Sequence, residues 1–191
     1  MSEQSKIYRY PGVKPFSENE QKVFCGRTAD TDSLHRLISL EKLVLLYGKS
    51  GLGKSSLLNA GVIPLFNKTA NTLVVKIRLG TRTIESLSPV NTVLSKLPAA
   101  IPNAVLDKLA AGMATFWLHV KSLQYPHQET AKTFVLIFDQ FEELFSYDKE
   151  EIKPFKKQLA DLLYAKVPGY ISRSVNNRLK EPKCGIHEAE N

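Results

Sequence analysis

The stretch Gly48-Lys49-Ser50-Gly51-Leu52-Gly53-Lys54-Ser55 decides how the rest of this sequence is interpreted. It fits the pattern G-x-x-x-x-G-K-[ST], in which glycines let backbone amides curl around phosphate oxygens. In this pattern Lys54 brings a positive charge to the β- and γ-phosphates, and Ser55 offers its hydroxyl to Mg²⁺. The helix that follows points the positive end of its dipole at the anion. The predicted nucleotide-binding residues of this P-loop are Gly48, Lys49, Ser50, Gly51, Leu52, Gly53, Lys54, Ser55 and Ser56, and Lys54 is also a candidate catalytic residue.

The segments on either side of the P-loop support this interpretation. A glycine-rich turn between a strand and a helix would not by itself require the adjacent Lys-Ser. Before the loop, the continuous apolar run Leu43–Tyr47 predicts a short strand covered on both faces. After it, Ser55 to about Phe66 predicts a helix, and Pro64 marks the place where that helix ends or bends.

Two further apolar runs predict strands, Leu73 to Arg78 and Thr133 to Phe138. Between the strands lie helical patterns, which imply right-handed crossovers and a parallel sheet. One predicted helix is capped by Asp30 or Thr31 and ends near Glu41 or Lys42. Others cover about 89–99, 103–124 and 150–166, with Pro154 in the first turn of the last. The fold class is therefore α/β, a three-layer α/β/α P-loop NTPase fold with a parallel sheet.

An acid at the end of the strongest strand run completes the predicted phosphate site. Asp139 directly follows Phe138, and a carboxylate at the carboxyl end of a parallel strand points into the nucleotide crevice. We expect Asp139 and Ser55 to hold Mg²⁺ between them. Many ATPases of this design place a Glu directly after this Asp to orient the attacking water, but here that position is Gln140.

Two glutamates are the remaining candidate catalytic residues. Glu142 and Glu143 follow closely, and either could reach the γ-phosphate if the strand end bends. Both could equally be solvated residues at a helix start, where the helix dipole favours acids. The sequence does not choose between the two glutamates.

The base that the site binds is predicted to be adenine. The segment Asn67-Lys68-Thr69-Ala70 lacks the aspartate that would read guanine, and no D-x-x-G follows the second strand run. The cofactors implied are therefore ATP and Mg²⁺.

Composition limits the class of protein. The chain has 191 residues, 43% of them hydrophobic, and a formal net charge of +7, which suits an anionic partner such as a nucleotide or nucleic acid. Its longest apolar runs are too short to cross a bilayer, so we expect a cytoplasmic protein with no membrane partner. Two distant cysteines and four scattered histidines exclude a disulfide framework and a familiar zinc-site spacing.

Four motifs in order resemble a known family. They are Tyr10-Pro-Gly-Val-Lys-Pro-Phe16, Phe24-Cys-Gly-Arg27, the P-loop extended by Ser56-Leu-Leu-Asn-Ala-Gly-Val-Ile-Pro64, and Asp139-Gln-Phe-Glu-Glu-Leu-Phe145. Together they resemble the amino-terminal P-loop portion of a novel STAND NTPase. The resemblance implies that Gly26 and Arg27 belong to a Gly-Arg motif near the nucleotide. Without it, a tight turn before a helix, with a solvated arginine, is the preferred interpretation of Gly26-Arg27.

The resemblance also implies a role in signalling. STAND proteins are signal-transduction ATPases whose nucleotide state switches a closed monomer to an open form, often through self-association or protein partners. Their core has two more strands, a sensor arginine, a helical and winged-helix lid and ligand-sensing repeats, whereas only 52 residues follow Asp139 here. The hypothesis is an amino-terminal piece that binds nucleotide without regulated hydrolysis, weak hydrolysis remaining open.

The resulting domain organisation has three parts. Residues 1–22 are expected to form an irregular arm, residues 23–180 a P-loop NTPase domain incomplete at its C-terminal end, and residues 181–191 a frayed tail. Two alternatives remain beside ATP binding. One is a non-enzymatic interaction or regulatory fragment that keeps only the fold. The other is a basic nucleic-acid-binding module, which the absence of an RNP-like aromatic motif or a recognition helix disfavours.

Overall fold

A computed structural model describes residues 14–100, 114–124, 132–164 and 166–180. Six helices and two strands organise these residues. The helices are α1 (Thr28–Leu40), α2 (a continuous run of Lys54–Ser56, Leu57–Val62 and Ile63–Asn67), α3 (Pro89–Lys96), α4 (Phe116–Gln124), α5 (Lys149–Leu163) and α6 (Gly169–Lys180). The strands are β1 (Thr72–Ile77) and β2 (Thr133–Phe138), and 3₁₀ helices occupy Glu18–Val23 and Phe141–Ser146.

The two strands form a parallel pair in which Thr72 lies opposite Thr133 and Ile77 lies opposite Phe138. Both were predicted as strands, β2 with the same bounds and β1 within one residue of them, and their parallel arrangement is confirmed. The chain between them contains helices α3 and α4, as a crossover between parallel strands requires. The fold is therefore mixed α/β around a two-stranded parallel sheet.

Apolar residues cover both faces of this sheet. On one face Val75 and Ile77 join a cluster with residues of α3, α4 and α5, including the fully buried Phe116 and Phe155. On the other face Val74 and Val135 pack against a second cluster formed by α1 and α2. Alternate strand residues thus point to opposite helical layers, which explains the near-continuous apolar sequences of both strands.

The prediction of a strand at Leu43–Tyr47 is wrong. The segment has no regular secondary structure, and its leucines and tyrosine are exposed, Leu45 by 76% and Tyr47 by 84%. Only Val44 packs against the cluster of α1 and α2. In the described ranges no strand lies beside this segment, so its backbone has no ladder to join. Apolar side chains favour a strand, but a strand also needs a neighbour to accept and donate its backbone hydrogen bonds.

Two prolines lie within helices, and the prediction for one of them is wrong. Helix α2 runs to Asn67, within one residue of the predicted end near Phe66, and Pro64 lies in the first turn of the segment that follows the π-helical Leu57–Val62. Helix α5 begins at Lys149, so Pro154 lies inside the helix rather than in its first turn.

The helix boundaries differ in smaller ways. Helix α1 begins at Thr28, before the predicted start at Asp30 or Thr31, and α3 ends at Lys96, before the predicted residue 99. The helix predicted over 103–124 is present from Phe116 on, and residues 103–113 lie outside the described residues, as do 1–13 and the tail 181–191. The sequence missed α6 and the 3₁₀ helix Glu18–Val23, which overlaps the irregular arm predicted over 1–22. Among the described residues no helix combines the length and apolarity needed to cross a bilayer.

Candidate functional site

The loop from Gly48 to Gly53 turns tightly before α2. Gly51 and Gly53 have φ values of +83° and +73°, a region that side-chain-bearing residues rarely adopt. The ammonium of Lys54 donates to the carbonyls of Gly48 at 2.8 Å and Lys49 at 3.0 Å, so it closes the loop on itself. Lys49 and Ser50 are exposed. The result is a glycine-rich turn at the amino end of α2, and the side chain of Lys54 spans this turn.

The first residue pair that the fold brings together is Ser55 and Asp139. The hydroxyl of Ser55 donates to Oδ1 of Asp139 at 3.2 Å, although the two residues are 84 positions apart. The amide of Asp139 donates to the carbonyl of Ile77, which continues the β1–β2 ladder by one bond and holds the backbone of Asp139 beside the end of β1. The side chain of Asp139 is 17% exposed. The end of β2 and the start of α2 therefore meet at one point.

Lys76 holds the other oxygen of Asp139. Its ammonium lies 2.9 Å from Oδ2 of Asp139 and donates to Oδ1 of Asn59 at 2.7 Å. Asn59 belongs to the π-helical part of α2 and also donates to the carbonyl of Phe16 at 3.1 Å. A chain of contacts thus runs from the amino-terminal segment through α2 and β1 to Asp139.

The side chain of Ser56, another predicted nucleotide-binding residue, contacts this amino-terminal segment. Its side chain is buried, and its hydroxyl accepts a hydrogen bond from the amide of Phe16 at 3.1 Å. Phe16 also packs edge-on against Phe24. The Ser56 hydroxyl therefore anchors the start of the described chain on α2.

Glu142 and Glu143 have different surroundings. Glu143 is 12% exposed and accepts hydrogen bonds from the guanidinium of Arg78 at 2.7 and 2.9 Å and from the amide of Gly80 at 2.7 Å. The Arg78 hydrogen bond is the main cause that lowers the pKa of Glu143 below its usual value. Glu142 is exposed and makes no hydrogen bond or salt bridge to any described residue.

A sharp backbone turn produces this difference. Gln140, directly after Asp139, adopts a left-handed conformation with a φ of +56°, and a 3₁₀ helix over Phe141–Ser146 follows. The turn carries Glu143 back over the loop after β1, where Arg78 and Gly80 lie, and leaves Glu142 facing outward.

Arg27 connects the segment before α1 to the predicted phosphate loop. Its guanidinium donates to the carbonyl of Leu52 at 3.3 Å and forms an ion pair with Asp30. Gly26 precedes it with a φ of +80° and has open space around its Cα. The structure therefore places Arg27 at the predicted loop, and Gly26 forms the turn that precedes it.

The residues at the meeting point fit a magnesium ion in chemical type. Ser55 and Asp139 supply hard oxygen atoms, and Mg²⁺ is commonly held by one or two carboxylates together with substrate phosphates. In the described part of the chain no group of three or more His, Cys, Asp or Glu side chains forms an all-protein metal cage. A metal at this point would depend on ligands from a bound phosphate.

Sequence reasoning missed Lys76, Asn59 and Arg78. The sequence contained a signal for Lys76. Side chains alternate along Thr72–Ile77, so this lysine lies on the same strand face as Val74, which packs against the cluster of α1 and α2. Arg78 follows two positions later, near the acidic segment 139–143. Asn59 carried no signal, since its role depends on how α2 lies against β1 and Phe16.

Comparisons with known proteins give one match. The model of the family described as Novel STAND NTPase 1 matches residues 10–174, which is most of the chain. Neither the curated proteins nor the solved structures that were compared give a match. The matched range includes the phosphate loop, both strands and the acidic segment after β2.

Proposed function

Because the chain belongs to the novel STAND NTPase 1 family, we propose that it binds Mg·ATP at the meeting point of the phosphate loop and Asp139. The fold that we propose is the three-layer P-loop architecture, supported by helices on both faces of the parallel sheet. One observation supports the proposal more strongly than the others. The hydroxyl of Ser55 and the carboxylate of Asp139 lie in hydrogen-bond contact, as a shared magnesium site requires.

In this proposal, different loop residues make different contacts with the phosphates. The amides of the turn at Gly51 and Gly53 face the phosphate oxygens, and the positive end of α2 adds to their attraction. Lys54 moves its ammonium from the carbonyls of Gly48 and Lys49 to the phosphates. Bound Mg²⁺ supplies positive charge that offsets the phosphates. Arg27 holds the loop from outside at Leu52.

Glu142 is the better candidate to orient a water for hydrolysis. Glu143 is engaged by Arg78 and Gly80, and a carboxylate whose lone pairs are already occupied is a poor proton acceptor. Glu142 is exposed in the same 3₁₀ helix and is available for that role. We therefore propose that Glu143 positions the segment after Asp139 and that any turnover depends on Glu142.

The biological role proposed here is a nucleotide-dependent switch in signalling. The family supports an NTPase domain, and the contacts from Phe16 through Asn59 and Lys76 to Asp139 link the amino-terminal segment to the nucleotide site. A change in the contacts of Asp139 on nucleotide binding would therefore alter the contacts of that segment. Self-association or binding of a protein partner would depend on this change.

The test is a calorimetric titration of the 191-residue chain with Mg·ATP, in parallel with Mg·GTP. We expect binding of ATP in preference to GTP, and a loss of at least about tenfold in affinity in Lys54→Ala, since a charged hydrogen-bonding group is removed. Lys68→Ala, an exposed lysine just after α2, is the matched control and should bind as the parent does. Equal affinity in Lys54→Ala and the parent would refute the assignment of the phosphate site.

A second candidate function is binding of a polyanion. Lys149, Lys153 and Lys156 lie on one face of α5 and line one shallow pocket together with Ile152. Such clustering is what a nucleic-acid-binding module requires. Its affinity would fall steeply with salt, and Lys153→Gln with Lys156→Gln would reduce it without changing ATP binding. A salt-independent or absent interaction with single-stranded RNA and duplex DNA would exclude this candidate.

A further inference from the structure

Lys76 is a charged residue at a strand position that the sheet otherwise fills with apolar side chains. Along β1, Leu73, Val75 and Ile77 belong with the cluster under α3, α4 and α5, and Val74 belongs with the cluster under α1 and α2. Lys76 shares the face of Val74 and lies in register with Ile137. Its side chain is 33% exposed. A lysine there carries a desolvation cost, which its partners must offset.

The contacts of Lys76 are arranged around the acid proposed to hold magnesium. Its ammonium is 2.9 Å from Oδ2 of Asp139, while Ser55 donates to Oδ1 of the same carboxylate. Both oxygens of Asp139 therefore have a donor from the protein itself. The second acceptor of Lys76 is Oδ1 of Asn59, and the amide nitrogen of Asn59 is fixed on the carbonyl of Phe16.

This arrangement determines how strongly Asp139 attracts a divalent cation. A positive charge in contact with a carboxylate that is mostly out of solvent cancels most of the field that the carboxylate exerts nearby. Solvent screening weakens the pair only in part, because Asp139 is 17% exposed. A divalent cation approaching Asp139 therefore meets a neutral pair rather than a free acid.

We propose that Lys76 is a built-in counter-cation of Asp139 that makes metal binding depend on the nucleotide. This inference rests on the function proposed above and specifies its regulation. Without phosphates, Asp139 and Ser55 alone hold a divalent cation poorly, since Lys76 neutralises the acid. With phosphates at the loop, their added negative charge outweighs the repulsion from Lys76, which can turn toward the Asn59 oxygen that it already contacts.

The experiment measures Mn²⁺ binding in the absence of nucleotide. Mn²⁺ replaces Mg²⁺ because loss of the free-ion signal in electron paramagnetic resonance reports binding directly, with no enzymatic turnover. The variants are Lys76→Gln and Lys76→Met, which remove the charge, and Lys76→Arg, which retains it. Lys68→Gln, the matched control, removes one positive charge from an exposed lysine that hydrogen-bonds to Gln21 rather than to Asp139, and Lys76→Gln combined with Asp139→Asn locates any gained site.

We expect Lys76→Gln and Lys76→Met to bind Mn²⁺ at least about tenfold more tightly than the parent, since one repulsive unit charge at contact distance is removed. Lys76→Arg and Lys68→Gln should bind as weakly as the parent, and Asp139→Asn should cancel the gain. Far-ultraviolet circular dichroism selects the variants that fold, and Lys76→Gln retains hydrogen-bonding groups toward Asn59 and Asp139. Unchanged or weaker Mn²⁺ binding in the folded charge-removal variants would overturn the inference, as would a gain that survives Asp139→Asn.

A parallel titration separates this inference from the function on which it rests. ATP is titrated into the parent and into Lys76→Gln, once with Mg²⁺ and once with a chelator. If the parent binds no ATP in either condition, the proposed function fails, whereas the Mn²⁺ result still decides the role of Lys76. If ATP binds, the parent should show a larger Mg²⁺ enhancement of affinity than Lys76→Gln, because linkage is reciprocal and the variant already binds the metal without nucleotide. An equal enhancement would contradict the proposed counter-cation.

Discussion

Two apolar segments of the chain have similar residue types but different structures. Thr133-Phe-Val-Leu-Ile-Phe138 forms β2, pairs with β1 over its whole length and packs on both faces. Leu43-Val-Leu-Leu-Tyr47 forms no strand, and all of its side chains except Val44 are exposed. Each segment leads into one half of the proposed nucleotide site, β2 into Asp139 and Leu43–Tyr47 into the phosphate loop.

The two segments differ in strand pairing and not in the strand propensity of their residues. Both segments satisfy the pattern of a buried parallel strand, but only β2 has a neighbour whose backbone completes its hydrogen bonds. The two halves of the proposed site are therefore held by different contacts. Asp139 is fixed by a ladder bond to Ile77, by Ser55 and by Lys76, whereas the loop after Tyr47 is held mainly by Lys54 and Arg27.

The largest expected effect is on the paired segment. Ile137→Ala removes a side chain that is 7% exposed in β2, and we expect it to lower the free energy of unfolding by about 2–5 kcal/mol. Leu43→Ala is the matched control at 69% exposure, where the expected change is below about 0.5 kcal/mol. Urea unfolding followed by circular dichroism measures both. Equal losses in the two variants would remove the distinction between the segments.

The next effect concerns the helices that cover the Val74 face of the sheet. A Cβ at Gly61 in α2 would lie 2.6 Å from Oγ1 and 3.1 Å from Cγ2 of Thr31 in α1. Gly61→Ala should therefore destabilise the fold by about 1–3 kcal/mol through overpacking, despite the better helix propensity of alanine.

Gly169→Ala is the control for that measurement, because a Cβ there meets nothing within 4 Å. Thermal unfolding of both variants gives the comparison. If Gly61→Ala is as stable as the parent, α1 and α2 do not approach as closely as the contact implies.

A smaller effect is expected at Glu143, which ties the segment after β2 to the loop after β1. Glu143→Gln weakens the hydrogen bonds to Arg78 and Gly80 and should cost about 1–2 kcal/mol near neutral pH. Glu142→Gln, with no partner among the described residues, should change the free energy of unfolding by less than about 0.5 kcal/mol.

The same pair of variants tests the pH dependence. Folding lowers the pKa of Glu143 below the ordinary value of 4.5, so the folded protein binds fewer protons there than the unfolded chain. The contribution of Glu143 is therefore complete above pH 4.5 and is lost as the pH falls through the lowered pKa. The stability difference between the parent and Glu143→Gln should shrink on acidification. A constant difference down to about pH 3 would contradict the assignment.

The smallest effect is expected in the exposed segment itself. Leu45→Asp places a charge on a side chain that is 76% exposed, and we expect the free energy of unfolding to change by less than about 0.5 kcal/mol. Val44→Asp, one residue away, buries that charge against the cluster of α1 and α2 and should cost about 1–3 kcal/mol. Guanidinium unfolding of the two variants compares them. A large loss in Leu45→Asp would place the segment in a buried strand after all.

Much of the fold was predictable from local patterns. The strands at 72–77 and 133–138, their parallel pairing and helices α1, α3 and α5 follow from apolar periodicity and crossover rules. A phosphate loop and Asp139 were predicted from motif and position, and the structure brings Ser55 and Asp139 into contact. Helix α6 was missed because its sequence, Gly169–Lys180, is polar, with isoleucine, valine and leucine each present once.

The sequence by itself determined which residues could carry phosphate chemistry, because the glycine, lysine and hydroxyl requirements of a P-loop are local to eight consecutive positions. Only the tertiary structure decided which acids and bases face one another. Lys76 is assigned to Asp139 and Arg78 to Glu143 by the register of β1 on β2 and by the turn at Gln140. Such pairings join residues more than sixty positions apart, and no local pattern encodes them, because their energy depends on distance and burial after folding.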